Sequence, residues 1–309
     1  MRIVFMGTPD FAEICLRRLF EDGHEIAAVY SKPDMPKNRG MKMQMTPVKE
    51  YALEKGIEVV QPVTLKDEEI QAQLRAFDPE LIVVVAYGKL LPKAILDMPK
   101  YGCVNVHASI LPKYRGSAPI QWSVINGDKI TGVTTMMMAE GMDTGDIIET
   151  LETEIGENET SEQLWDRMAA LGAELISKTV RDFESGNITL TPQDDSLATY
   201  APMLTKDLSP IDWNRSAKQI HDQVRGLIPW PVASTEFGGK RFRIFETVVS
   251  DKTTVHPAGS IIAAGKDGLE VACGNGQVIV IRTIQADGGK RMAAADYLRG
   301  HPNDFEIIK

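Results

Sequence analysis

Short apolar runs alternate with amphipathic stretches through the first half of the chain. Residues 2–6, 25–30, 81–86 and 102–106 read as strands. The run 81–86 is apolar throughout, as a strand covered on both faces must be. Between the strands the period changes to that of a helix. Phe11, Cys15, Leu16 and Leu19 recur at helical spacing after Thr8-Pro9, and Gly23 follows. This predicts an N-cap at Thr8 with proline at the first helical position. A second helix is expected over 47–55, closing at Gly56. Strand, helix and strand in this order predict an α/β domain with a Rossmann-like parallel sheet.

Further along, a helix is predicted over 118–126, strands over 130–138 and 146–154, and a long helix over 160–184. The last carries Leu164, Met168, Leu171, Leu175 and Ile176 on one face. Residues 187–205 are polar and contain proline, which reads as a linker. A short helix over 217–227 ends at Pro229-Trp230-Pro231. After it, β-rich runs at 241–247, 259–264, 269–273 and 277–283 are separated by turn residues. They predict a small β-barrel, with the oligonucleotide-binding type as one option. The expected organisation is therefore an α/β domain over 1–186, a linker over 187–205 and a smaller barrel over 206–309. The polar connection 31–45 exceeds the usual two to six residues of such units, which points to a function for it.

Composition is that of an ordinary globular protein, 43% hydrophobic and 25% charged over 309 residues. Cys15, Cys103 and Cys273 are far apart and odd in number, which argues against a disulfide framework and a zinc site. The opening Met1–Gly7 stretch is too short for a signal peptide, and the apolar runs are too short for a membrane helix. A monomer in the reducing cytoplasm, away from membranes, is expected. Net charge is -9, but unevenly spread. Residues 206–309 hold 14 Lys and Arg against 12 Asp and Glu, a net of +2, whereas the rest holds 20 against 31, a net of -11. The clusters Lys240, Arg241, Arg243 and Lys290, Arg291 are candidates for phosphate contact, with a solvated surface as the alternative.

A dinucleotide fingerprint is missing, since Gly7 stands alone at the first turn and no acidic residue ends the second strand. The chain also lacks a Walker A sequence and a serine nucleophile elbow. The informative stretch is Asn105-Val-His-Ala-Ser-Ile-Leu-Pro112, followed by Tyr114-Arg-Gly-Ser-Ala-Pro119. It leaves the C-terminal end of a predicted strand, where open α/β sheets bind ligands. Asn105 and His107 are two apart and share a face. Their amide and imidazole can both donate to one oxygen, as an acyl-transfer oxyanion requires. Asp143, in a glycine-flanked loop after another strand, can orient His107 or pass a proton. These residue types alone leave a catalytic site and ordinary structural hydrogen bonds as alternatives.

Together with Met142-Asp-Thr-Gly-Asp146, these motifs resemble the folate-dependent formyltransferases. The likeness of the shared domain covers roughly residues 1–185. It implies that Asn105, His107 and Asp143 are catalytic. It implies folate contacts from Ser109, Ile110, Leu111 and Pro112, and from Tyr87, Gly88 and Leu90 on the opposite wall. Ile3–Ala12, the loop from Lys32 to Lys49, and the stretches Ile211–Asn214 and Leu227–Pro231 resemble the branch that formylates initiator tRNA. That resemblance implies transfer of formyl from 10-formyltetrahydrofolate to the α-amine of initiator methionyl-tRNA, without a metal. It also implies tRNA contacts from Arg39 and Lys42, joined by Lys240, Arg241 and Arg243. Met41 departs from the pattern, where a lysine is common. The rival expectations are a formyltransferase or formyl folate hydrolase acting on a small amine, a nucleotide sugar or water, and a non-catalytic RNA-binding protein.

Overall fold

The computed structural model describes residues 1–37 and 42–307. The chain divides into two compact units. One comprises Met1–Pro119, Ile130–Thr153 and Trp165–Pro202; the other comprises Ile120–Lys129, Glu154–Leu164 and Met203–Lys309.

The first unit is built on a seven-stranded sheet. Its order is Ile147–Glu154, Ile130–Met137, Cys103–His107, Leu81–Val85, Arg2–Gly7, Glu25–Tyr30 and Val59–Val60. The five strands from Cys103–His107 to Val59–Val60 pair in parallel, as the alternating pattern predicts. Ile3, Val4, Phe5, Met6, Leu81, Ile82, Val83 and Val85 are fully buried, which is why their sequence shows no alternation. Ile130–Met137 departs from the expected parallel order and runs antiparallel to Cys103–His107. The intervening residues do not carry the chain back to the other end of the sheet. They turn at the end of Cys103–His107, so His107 pairs with Thr134 and Val104 with Met137.

The two Thr-Pro pairs behave differently. Thr46 caps the helix Pro47–Glu54, its hydroxyl accepting from the Lys49 amide at 3.2 Å. Thr8 does not cap. Pro9 occupies the N-cap of Asp10–Glu21, and the Thr8 hydroxyl lies 3.5 Å from the Tyr87 carbonyl instead. The segment expected as a linker is ordered within the first unit through residue 202. Ile147 and Thr191 exchange backbone hydrogen bonds at 2.8 and 2.9 Å, and Tyr200–Ala201 pairs in parallel with Arg115–Gly116.

In the second unit a mainly antiparallel sheet runs Ala233–Phe237, Lys240–Thr253, Gln277–Ala286, Gly268–Ala272 and Ile261–Gly265, with Met292–Ala293 beside Gln277–Ala286. Phe242 packs on Phe305 and Tyr297 with ring centroids 5.2 and 5.4 Å away. The stretch Glu154–Leu164 belongs to this unit for a hydrogen-bonding reason. The buried Ser161 hydroxyl meets the Gly226 and Ile228 carbonyls at 2.9 and 2.6 Å. Arg225, paired with Asp222 at 2.8 Å, donates to the Glu159 carbonyl at 2.9 Å.

Cys15, Cys103 and Cys273 are buried, and burial raises all three thiols, Cys103 and Cys273 to about 12. A buried thiol with little thiolate is a poor nucleophile. The native protein should therefore show no fast-reacting thiol towards an aromatic disulfide reagent, and three after denaturation. A rapid native phase would contradict this placement.

Candidate active site

Asn105 and His107 stand on Cys103–His107, flanked by Leu81–Val85 and Ile130–Met137. Both are buried, Asn105 to 9% exposure and His107 to 5%. The His107 ring is fixed from both sides. Its Nε2 lies 2.9 Å from the Tyr114 carbonyl, which has no proton to give, so Nε2–H is the donor. Its Nδ1 faces Asp143 Oδ2 at 3.8 Å. That oxygen accepts the Gly116 amide at 2.8 Å. The Asn105 side-chain amide, by contrast, makes no hydrogen bond among the described residues. A buried amide left in this state is a ready partner for a ligand oxygen.

Asp143 reaches His107 because the loop after Ile130–Met137 doubles back. Met138 donates to the Cys103 carbonyl at 2.8 Å, at the far end of the strand from His107. The return is tight: Asp143 has φ +53°, and a Cβ on Gly145 would strike the Met137 carbonyl. Gly116, which supplies the amide to Asp143, has φ +115°. These backbone conformations are what glycine supplies most readily.

The remaining predicted residues divide. Residues 109–112 form a turn with a cis Leu111–Pro112 bond. Thr134 ties this turn to the sheet by donating to the Ser109 carbonyl at 2.7 Å and accepting the Leu111 amide at 3.3 Å. Ser109 itself is fully buried, its hydroxyl donating to the Lys113 carbonyl at 2.6 Å. The Tyr87 ring lies in the core with Val4, Met6 and Cys103, and its hydroxyl has no partner among the described residues. Neither Ser109 nor Tyr87 presents its side chain as a wall, so a ligand there would meet backbone. Leu90 is 72% exposed, and Gly88, at φ +70°, lies against the Lys32 side chain. The turns 86–90 and 108–112 leave adjacent parallel strands and so emerge side by side.

Arg39 lies outside the described residues. The flanking strands Met35–Lys37 and Lys42–Gln44 form a hairpin, which includes the Lys42 backbone. Its root is tied by hydrogen bonds. Lys49 Nζ bonds Asp34 Oδ2 and Gln61 Oε1 at 2.7 and 2.8 Å, and Gln61 Nε2 donates to the Lys32 carbonyl at 2.7 Å. In the second unit, Phe242 and Ile244 point inward while Arg241 and Arg243 are exposed on the same strand. Lys240 is paired with Asp304 at 2.7 Å, and Arg291 stacks over the Phe245 ring at 4.3 Å.

Sequence reasoning missed the residues that hold the site. Tyr114 and Gly116 lie in the motif 114–119, but the roles of their backbone carbonyl and amide are not marked there, and Thr134 carries no mark at all, because such groups take their role from contacts elsewhere in the fold.

Residues 1–180 match the formyl transferase family, and residues 203–302 match the formyl transferase C-terminal domain. The chain is 48% identical over 302 residues to a protein of Acetivibrio thermocellus named methionyl-tRNA formyltransferase, covering 97% of each. A protein of the same name from Alkaliphilus oremlandii is 50% identical over 301 residues, again with 97% of each covered. Among solved structures, an N-formyltransferase of Helicobacter canadensis, in complex with folinic acid and dTDP-3-aminofucose, matches 90% of this chain and 98% of its own, with TM-score 0.67 and 17% identity. HypX of Aquifex aeolicus, in complex with tetrahydrofolic acid, matches all of this chain with TM-score 0.66 and 17% identity; the match spans 48% of HypX.

Gly116→Ala tests the backbone that presents the amide to Asp143. A Cβ there would meet the Ala201 carbonyl at 2.8 Å, at a φ of +115°. The expected loss is about 1–3 kcal/mol in chemical denaturation. A change near zero would show that this backbone relaxes freely.

Proposed function

The chain belongs to the formyl transferase family, and we propose that it transfers the formyl group of 10-formyltetrahydrofolate to the α-amino group of methionine on initiator methionyl-tRNA, giving N-formylmethionyl-tRNA. The observation that carries the chemistry is the Asn105 amide, nine-tenths buried and without a hydrogen-bond partner among the described residues, two positions from His107. Near-half identity along the whole length of relatives that bear the activity's name supports the substrate.

The ground for a folate is the exposed apolar Leu90 beside the turn 109–112, together with the free Asn105 amide. When bound, formyl folate supplies an acyl carbon already activated towards an amine. The chain supplies charge stabilisation and positioning. Asn105 donates one hydrogen bond to the formyl oxygen as negative charge gathers there. His107 donates the second. With Nε2–H held by the Tyr114 carbonyl, the nitrogen left to do this is Nδ1, so the donating form is the doubly protonated ring. Asp143, at 3.8 Å, provides the opposite charge that this form favours. It also serves the proton that the attacking amine loses on its way to the departing nitrogen.

We assign the RNA contacts to Arg39 and Lys42, and to Lys240, Arg241 and Arg243 in the second unit. The exposed Arg241 and Arg243 suit phosphate, while Lys240 acts against the competition of Asp304. Formyl folate also binds at residues 109–112 and 87–90, where Ser109 and Tyr87 contribute through the backbone they order.

The test is transfer of labelled formyl from formyl folate to charged initiator tRNA, against small amines, nucleotide aminosugars and water. Preference for any of these over tRNA would overturn the reading. Asn105→Ala should lower turnover about 10²–10³-fold, as one oxyanion donor does. His107→Ala should cost at least as much, and both variants should keep a cooperative thermal transition. Loss of that transition along with activity would make the residue structural.

A second set of variants examines RNA recognition. Arg39→Leu should raise the Michaelis constant for initiator tRNA, or lower turnover, by at least about tenfold, the worth of one good base contact. Formyl folate affinity should not change. The logarithm of the affinity for tRNA should fall linearly with the logarithm of salt concentration, with a shallower slope in Arg241→Ala/Arg243→Ala. A slope unchanged by that pair would remove the second unit's arginines from the interface.

A further inference from the structure

We propose that residues 190–201, which fall between the two matched domains, are part of the catalytic centre, and that Gln193 is the residue that positions Asp143. The inference rests on the assignment of Asp143 above. The matched domains end at residue 180 and begin again at residue 203, yet the first compact unit continues to Pro202.

Gln193 uses every polar atom of its side chain. Nε2 donates to the carbonyls of Asp143 and Gly145 at 2.9 and 2.7 Å. Oε1 accepts from Arg115 Nε and Nη2 at 3.1 and 2.8 Å. Carbonyls offer no proton and a guanidinium offers no acceptor, so the amide has one orientation that satisfies all four contacts. Arg115 is 2% exposed, and its further partner is Asp195 Oδ1 at 2.7 Å. Asp195 is 82% exposed, so that pair is weak and Gln193 is the firmer hold on the guanidinium.

This one side chain joins the two strips of backbone that shape the site. On one side it grips the carbonyls at and after Asp143, a residue at φ +53°. On the other it holds Arg115, whose neighbours are Tyr114, the acceptor for His107, and Gly116, the donor to Asp143. The backbone of 199–201 extends the same contact, taking the Arg115 and Ser117 amides at 2.9 Å each. Gln193 touches no reacting atom. It acts by setting where the Asp143 carboxylate stands relative to the His107 ring.

Gln193→Glu retains the acceptor for Arg115 and loses both donors to the loop, while Gln193→Ala loses both sides. In the full-length protein, Gln193→Glu should lower kcat for formyl transfer to initiator tRNA by about tenfold to a hundredfold, the effect of a displaced catalytic group, with KM for either substrate changed less than about threefold. A double-mutant cycle distinguishes positioning from general damage. If Gln193 acts through Asp143, adding Gln193→Glu to Asp143→Asn should cost less than about threefold more. Multiplicative losses would overturn the proposal, as would an unchanged kcat in Gln193→Glu. Deuterium exchange gives a readout that does not depend on the substrate: peptides covering 139–146 should exchange at least about tenfold faster in Gln193→Glu, with the rest of the first unit unchanged. Unaltered exchange there would refute the contact. Wild-type protein inactive on every formyl acceptor would defeat the functional reading while leaving the exchange result to decide the positioning role.

Discussion

One carboxylate oxygen carries the geometry of the site. Asp143 Oδ2 takes the Gly116 amide at 2.8 Å and faces His107 Nδ1 at 3.8 Å. To put it there, three segments widely separated in sequence must meet: the strand Cys103–His107, residues 114–116, and the loop 139–146. The backbone accepts unusual conformations to allow it. Tyr114 at φ +60° and Asp143 at φ +53° are both in the left-handed region. Such residues cost of order 1–3 kcal/mol each and persist where their surroundings over-determine them. Here the over-determination is a set of hydrogen bonds: the Tyr114 amide donates to Thr199 Oγ1 at 2.9 Å, and Gln193 donates to the Asp143 loop.

What the sequence made legible follows from the range of the interaction that fixes each part. Leu81–Val85 announces itself because burial on both faces leaves no polar position. The helix Pro47–Glu54 does so because its cap is local, joining Thr46 to Lys49 three positions on. Asn105 and His107 were legible from two-residue alternation and from the motif they sit in. The segment 187–205 read as a linker because it is polar and aperiodic. Its order comes from partners such as Arg115, 78 residues before Gln193, and no local pattern encodes that. Thr8-Pro9 failed for the opposite reason. The local rule was sound, but the Thr8 hydroxyl lies towards the Tyr87 carbonyl rather than the first helical amides.

The antiparallel strand has a consequence for the site. Had Ile130–Met137 run parallel, Thr134 would not pair with His107 across the ladder. Because it does, one fully buried hydroxyl stands beside the ring and ties the turn 109–112 to the sheet. The departure from a uniform parallel sheet thus falls beside the strand that carries the proposed oxyanion donors, and it supplies a positioning group that a helical crossover would have left elsewhere.

The choice of a neutral amide at position 193 also has a physical reason. Two backbone carbonyls next to Asp143 need donors, since buried carbonyls without partners are costly. A lysine or arginine in direct contact would satisfy them. It would also bring a positive charge to the carboxylate, and opposite charges at close range favour the ionised acid over any other partner. Asp143 would then be held by that cation, with less of its field left for the His107 ring. Gln193 supplies two donors with no net charge. The buried guanidinium of Arg115 stands behind it, met by the Gln193 carbonyl oxygen and by Asp195. The amide therefore separates the cation that anchors the backbone from the anion that faces the imidazole, and it lets both stand close together in one small region of the fold.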